Sequence, residues 1–351
     1  RASSGRSVLK TFFAPEQKLH DPKMFLSSGA PQPNPEQPAR ADRLLEGARA
    51  AGLSVERPRD HGLGPIAAVH TPEYLDFLQH IYQRWRRIEG ASEEVIPNIH
   101  PLARDGAYPA SAVGQAGYHM ADTGCPISAE TWESVYWSAM SAVEAAGAVA
   151  AGAPAAYALC RPPGHHAFAD VAGGFCFVNN SAVAAQALRK TAARVAIRDV
   201  ELHRGNGTQG IFYARPDVMT VSIHADPVRF YPFFWGHADE RGEGPGLGYN
   251  LNLPLPRKSG DAPFLEALNT ALRRIRAFAP EALVIALGLD AHESDPFGGL
   301  SVTTPGFARI AEAIARLHLP TVIVQEGGYL SEELSVNLTS FLPGFGGAHR
   351  Q

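Results

Sequence analysis

Cysteine is scarce in this chain: Cys125, Cys160 and Cys176 are the three among 351 residues. So few cannot build a disulfide framework, and they fit a reducing compartment. Long apolar runs are missing too. None approaches the roughly 18–20 residues of a membrane span and none reads as a signal-peptide core, so a cytoplasmic protein off the membrane is expected. Excess positive charge is also lacking. The formal net charge is −4, whereas nucleic-acid binding wants a basic face. No internal repeat or low-complexity tract stands out. The glycine-dense stretch 242–248 would suit a phosphate cradle only with a Lys-Ser/Thr behind it, which it lacks. It reads instead as a tight loop near a site.

Apolar sequence is plentiful, but in short pieces. Hydrophobic residues make up 45% of the chain, enough for one large domain over residues 1–351. The runs Ala155–Leu159, Arg194–Val200, Ala282–Leu287 and Thr321–Val324 have strand length and are separated by helical patterns. That alternation predicts an α/β fold around a mainly parallel sheet, buried on both faces. Helices are expected from Pro35 to Ala51, from Thr71 to about Ile88 and from Thr131 to Ala151. The stretch from about 90 to 127 reads as an irregular insertion.

Each of the four runs leads into chemistry. In parallel sheets, ligands bind beyond the carboxyl ends of the strands. The first run is followed by Arg161-Pro-Pro-Gly and the adjacent pair His165 and His166, the second carries Asp199 near its end and is followed by Glu201 and His203, the third is followed by Asp290, the fourth by Tyr329. Imidazoles titrate near neutrality, so the pair points to proton transfer. A lone histidine pair can be two exposed loop residues, and a lone Asp at a strand end is more often a cap. Convergence from four strand ends is hard to explain by packing. Residues two apart on an extended chain share a side, which groups Asp199, Glu201 and His203. Glu201, His203 and Asp290 then offer three ligands with a position left open, the pattern of a catalytic metal site. Such O/N ligation suits Zn²⁺ and also admits Fe²⁺ or Mn²⁺.

The ordered motifs Pro35-Glu-Gln-Pro-Ala-Arg40, Arg161-Pro-Pro-Gly-His-His166, Gly173-Gly-Phe-Cys-Phe-Val-Asn-Asn180, Gly205-Asn-Gly-Thr-Gln209, Leu287-Gly-Leu-Asp-Ala-His292 and Glu326-Gly-Gly-Tyr329 resemble the metal-dependent histone deacetylase superfamily. Gly114–Ile127 and Thr131-Trp-Glu-Ser resemble its bacterial acetylpolyamine amidohydrolases. The resemblance implies a single-domain arginase/deacetylase-type fold of about eight strands and removal of acetyl groups from small acetylated amines. It implies His165 and His166 as the acid–base pair, with Asp199 and Asn206 behind them, and Glu201, His203 and Asp290 on the metal. Tyr329 would donate to the substrate carbonyl. Phe175 and Phe230 or Tyr231 would line the channel, with Gly174, Gly328 and Asp122 also on the substrate side. Arg40 would lie near the acetate product. Ser222 and Ile223, with Asp199 and His203, fall where relatives bind a structural K⁺. A homodimer or higher oligomer, closed partly by residues 98–127, is implied as well.

Three departures fall within seven residues: Glu201 where relatives have Asp, Arg204 where they have His, and Arg198 where an apolar residue is usual. Val113 replaces an acid found in some relatives. The extra methylene of Glu201 shifts its carboxylate by about 1.5 Å, so Glu201 is expected to fold back as a suboptimal ligand that Asp would improve. Acetyl-lysine in proteins is an alternative substrate. A diverged binding protein with little catalysis is the alternative that Glu201 and Arg204 raise.

Overall fold

Eight strands, all paired in parallel, run through the centre of the computed structural model, which describes residues 9–351. They are β1 (Lys10–Phe12), β4 (Val55–Glu56), β5 (Ala155–Ala158), β6 (Val195–Asp199), β7 (Val218–Ala225), β8 (Asn250–Leu255), β9 (Ala282–Leu287) and β10 (Thr321–Gln325). Their order is β4-β1-β5-β10-β9-β6-β7-β8. The four strands that lead into chemistry, β5, β10, β9 and β6, are therefore contiguous. A separate antiparallel hairpin, β2 (Met24–Ser27) and β3 (Ala30–Pro33), lies outside this sheet.

Alternating residues of these strands are buried on opposite faces, which is why the runs are continuously apolar. One face, including Ala196, Met219, Val221, Leu283, Ile285 and Ile323, packs with Leu44 of α1 (Ala39–Ala50), Phe264 and Leu268 of α8 (Asp261–Phe278), Phe307 and Ile310 of α9 (Thr304–Ala315), and Phe341 of α10 (Leu334–His349). The other face, including Ile197, Val284, Val322 and Val324, packs with Ala142 and Ala145 of α5 (Thr131–Ala150) and Ala184 of α6 (Asn180–Leu188). One sheet thus serves both cores, and no second domain separates from it among the described residues.

Three expectations shift. Helix α1 starts at Ala39, not Pro35, because the Pro35–Pro38 segment is used in side-chain contacts; Glu36 there binds two arginines. Helix α3 (Pro72–Trp85) begins at the expected cap, with Thr71 Oγ1 accepting from the Tyr74 amide at 3.3 Å. The 90–127 stretch is not wholly irregular: it contains α4 (Ala112–His119), and a Val95–Ile127 bridge closes it. The 242–248 loop packs against Tyr213, whose carbonyl accepts from the Glu243 amide, rather than against the strand-end site.

Candidate metal centre and active site

Strand β6 ends at Asp199, and residues 201–203 form bends rather than extended chain. Simple alternation therefore does not bring Asp199, Glu201 and His203 together. Hydrogen bonds to carboxylates do. Asp199 Oδ1 accepts from the Glu201 amide at 3.0 Å, Asp290 Oδ1 accepts from the Leu202 amide at 3.0 Å, and the Glu201 carboxylate accepts from the His203 amide. The turn is wound around its own acids.

This winding points Glu201, His203 and Asp290 at one spot, all three buried. His203 Nδ1 lies 3.4 Å from Glu201 Oε2 and 3.6 Å from Asp290 Oδ2. A tetrahedral site with bonds of about 2.0–2.2 Å has ligand-to-ligand edges of about 3.3–3.6 Å, so these spacings fit one ion. Asp290 Oδ2 is buried with no hydrogen-bond partner, a costly state for a carboxylate unless something positive completes it. Gly288 and Gly327 make the cluster possible: a Cβ on Gly288 would run into Glu201 Cγ, and one on Gly327 into the Glu201 and Asp290 carboxylates. The longer Glu side chain is thus housed in space that the glycines leave. The residues fit a divalent cation, and Glu201 Oε2 stands at ligand spacing from His203 despite the longer side chain.

Electrostatics agree. Burial opposes charge on His203, yet Glu201 and Asp290 outweigh it and hold the imidazole up at about 9. Asp290 is raised well above the usual carboxylate range, by burial and then by the charge of Glu201.

The histidine pair sits on the loop after β5. Glu326, at the end of β10, accepts from the Gly164 amide at 2.8 Å, the His165 amide at 3.1 Å and Ser181 Oγ at 2.9 Å, which fixes that loop. His165 Nδ1 meets Asp199 Oδ2 at 2.8 Å, and His166 Nδ1 meets Asn206 Oδ1 at 2.7 Å, at the first residue of α7 (Asn206–Phe212). The rings are 4.1 Å apart and shifted in opposite senses. Burial lowers His165, but Asp199 and Glu201 overcome it and raise the ring well above its ordinary value. Burial and then the neighbouring His165 push His166 well below. Environments that drive two titratable groups apart suit them to different roles: the surroundings favour a charged His165 and a neutral His166.

His166, His203 and Tyr329 line a cavity of about 310 Å³ with Phe175, Phe230, Tyr231 and Gly174. Tyr329 is clamped by Phe297 and Phe175, with ring centroids at 4.9 and 5.8 Å, and the Arg40 guanidinium lies 4.7 Å from its ring. Arg40 is fully buried, donating to Glu36 Oε2 at 2.7 Å and to the Glu326 carbonyl at 2.8 Å. Asp122 is in the cavity wall, but its carboxylate is engaged by the Gly124 and Gly174 amides at 2.9 and 3.0 Å and by Tyr231 Oη at 2.7 Å. Gly328 is not in the wall; its carbonyl faces Arg40. Val113 is part of α4 and packs against a separate apolar cluster, away from the cavity.

Arg204 does not point at the metal ligands. Its guanidinium donates to Gln209 Oε1 at 3.0 Å and Asn250 Oδ1 at 2.9 Å. At the expected K⁺ position the carbonyl of Asp199 accepts instead from the Arg198 guanidinium. Sequence reasoning missed Phe25, Phe233 and Phe297 in the wall, and the bracing role of Glu326 and Glu36. Phe297 follows the Asp290 strand exit and was open to the same strand-end rule; Phe25 arrives on the hairpin from far along the chain.

A parallel α/β sheet with a buried carboxylate–imidazole cluster that could hold a metal ion, a histidine pair and a tyrosine over a narrow cavity has the make-up of a metallohydrolase-like site. The histone deacetylase domain model matches residues 34–344. The chain is 52% identical over 337 residues to the acetylpolyamine amidohydrolase of Burkholderia pseudomallei, covering 96% of this chain and 98% of that one. It is 41% identical over 342 residues to that of Mycoplana ramosa, covering 97% and 100%. A crystal structure of the acetylpolyamine aminohydrolase from Burkholderia pseudomallei superimposes with a TM-score of 0.94 at 51% identity, covering 97% and 99%. The HDA15 HD domain gives 0.80 at 27%, covering 97% and 90%. The chain belongs to the histone deacetylase family.

Proposed function

We propose that this chain is a metal-dependent amidohydrolase that releases acetate from small acetylated amines, acetylpolyamines in particular. The observation that carries this reading is the histidine pair, His165 on Asp199 and His166 on Asn206, beside the buried Glu201, His203 and Asp290 cluster at the base of an aromatic cavity. The names of the full-length relatives point to the same substrates.

Glu201, His203 and Asp290 would hold the ion, with Zn²⁺ suiting the donors best and Fe²⁺ or Mn²⁺ admitted. When bound, such an ion polarises the acetamide carbonyl and lowers the pKa of a bound water to about 7. With Nδ1 donating to Asn206, His166 presents Nε2 to take the proton of the attacking water and return it to the leaving nitrogen. Tyr329 donates its hydroxyl hydrogen to the carbonyl oxygen as charge builds there. Burial raises that hydroxyl well above its ordinary value, so it keeps its proton. His165, locked to Asp199, holds a fixed positive charge beside the base. The C–N bond breaks, and acetate and the free amine leave.

Phe175, Tyr231 and Phe297 suit a slim aliphatic chain. Asp122 adds negative charge to the wall for a distal ammonium, although its hydrogen bonds also make it a brace for Tyr231. Exposed Ile99, Leu102 and Phe234 fit burial against a second copy. Three buried free cysteines accord with a reducing compartment such as the cytoplasm; no helix among the described residues is long and apolar enough to cross a membrane. The test is acetate release by metal-loaded protein from acetylputrescine, acetylspermidine and an acetyl-lysine peptide. Faster turnover of the two polyamines supports the reading; faster turnover of the peptide overturns the substrate class.

A further inference from the structure

Arg198 takes no part in that chemistry, yet it is fully buried one residue before the acid that holds His165. Its Nη1 donates to the backbone carbonyl of Asp199, while Nε and Nη2 find no partner. Burying a guanidinium with idle donors is costly, and an apolar side chain would fill an apolar core without that cost. The position of the charge accounts for its retention. The Asp199 carbonyl opens the turn 199–203, whose side chains hold the charged histidine and supply two metal ligands. Asp199, Glu201 and Asp290 are all buried around that turn, and a positive charge beside it offsets their mutual repulsion.

A monovalent cation at this turn would need the same carbonyl. It would also draw on Ser222, which pairs with Asp199 in register on β7. Ser222 Oγ is engaged: it meets His224 Nδ1 at 2.7 Å, while His224 Nε2 donates to the Gly236 carbonyl at 2.7 Å. Burial and then Arg204 hold His224 down at about 3, so the ring is neutral and Nδ1 accepts from the serine. Any added cation would face two buried guanidinium groups, Arg198 and Arg204, near one turn. The residues do not fit a K⁺ ion.

We infer that Arg198 is a built-in cation: its guanidinium braces the 199–203 turn from within the chain, and no K⁺ or Na⁺ binds there. Arg198 acts through the turn and is a positioning residue.

The test reads ion binding and stability rather than turnover. Crystals of the metal-loaded protein grown in rubidium chloride should show no anomalous peak at the Asp199 carbonyl. The thermal midpoint should be the same in potassium chloride and choline chloride at equal ionic strength. Arg198→Met should gain both properties, a rubidium peak at that carbonyl and a midpoint several degrees higher in potassium, because an ion bound only by the folded state stabilises it. A rubidium peak in the unaltered protein, or a potassium-dependent midpoint, overturns the inference. So does a folded Arg198→Met that binds no rubidium and ignores potassium. If Arg198→Met does not fold, the two measurements on the unaltered protein still decide.

Discussion

Replacing Glu201 with Asp sets two effects against each other, and the structure determines which wins. Shortening relieves any off-rotamer strain in a folded-back Glu, at most about 0.5–1.5 kcal/mol. It also withdraws the carboxylate by about 1.5 Å, when ligand positions must hold within about 0.2 Å. Glu201 Oε2 already stands 3.4 Å from His203 Nδ1, the edge length an ion requires, and Gly288 and Gly327 leave its side chain room. Glu already reaches this spacing in the room the glycines leave, and the shorter Asp would fall short of it. Apparent binding free energies of about 10–16 kcal/mol at structural zinc sites imply several kcal/mol per ligand, more than the strain could return. Glu201→Asp is therefore expected to raise the metal concentration for half-maximal activity by at least about tenfold, about 1.4 kcal/mol. The assay is deacetylation rate against buffered free Zn²⁺, starting from metal-stripped protein, for both forms. An unchanged or lower midpoint for Glu201→Asp would refute the fit of Glu201 and restore the expectation drawn from its length alone.

Tyr329→Phe should lower kcat by about 10²–10³-fold with little change in KM, since its hydroxyl is needed where charge develops; a loss under about threefold, less than about 1 kcal/mol, would remove it from the mechanism. Metal binding to stripped protein at neutral pH should expel between about one and two protons per ion, because His203 is held up at about 9 and Asp290 is raised. The direction follows from both pKa values being raised: the protons are bound at neutral pH and must leave before the ligand atoms can coordinate. Calorimetry in buffers of different ionisation enthalpy reads this number, and a value near zero would contradict the shifts.

Much of this site was legible because parallel strands write their own exits. Short apolar runs ending in His165, Glu201, Asp290 and Tyr329 located four strand ends, and strand order then set them side by side. Less legible was whatever depends on contacts far apart in the chain. Glu36 links Arg40 to Arg161, 125 residues from the latter, and no local pattern announces such a pair. Phe25 reaches the cavity on a hairpin outside the main sheet. The turn after Asp199 misled the alternation rule because carboxylates wind it out of the extended form. The length of Glu201 says nothing of the space that Gly288 and Gly327 leave beside it.

The most direct measurement is zinc content and acetate release from acetylputrescine, followed together as metal-stripped protein is titrated, for the unaltered chain and for Asp290→Ala. The unaltered protein should gain activity to a plateau at one ion per chain, and Asp290→Ala should retain no ion and show no turnover. Full metal content in Asp290→Ala, or undiminished turnover by the stripped protein, would contradict a single catalytic ion held by Glu201, His203 and Asp290.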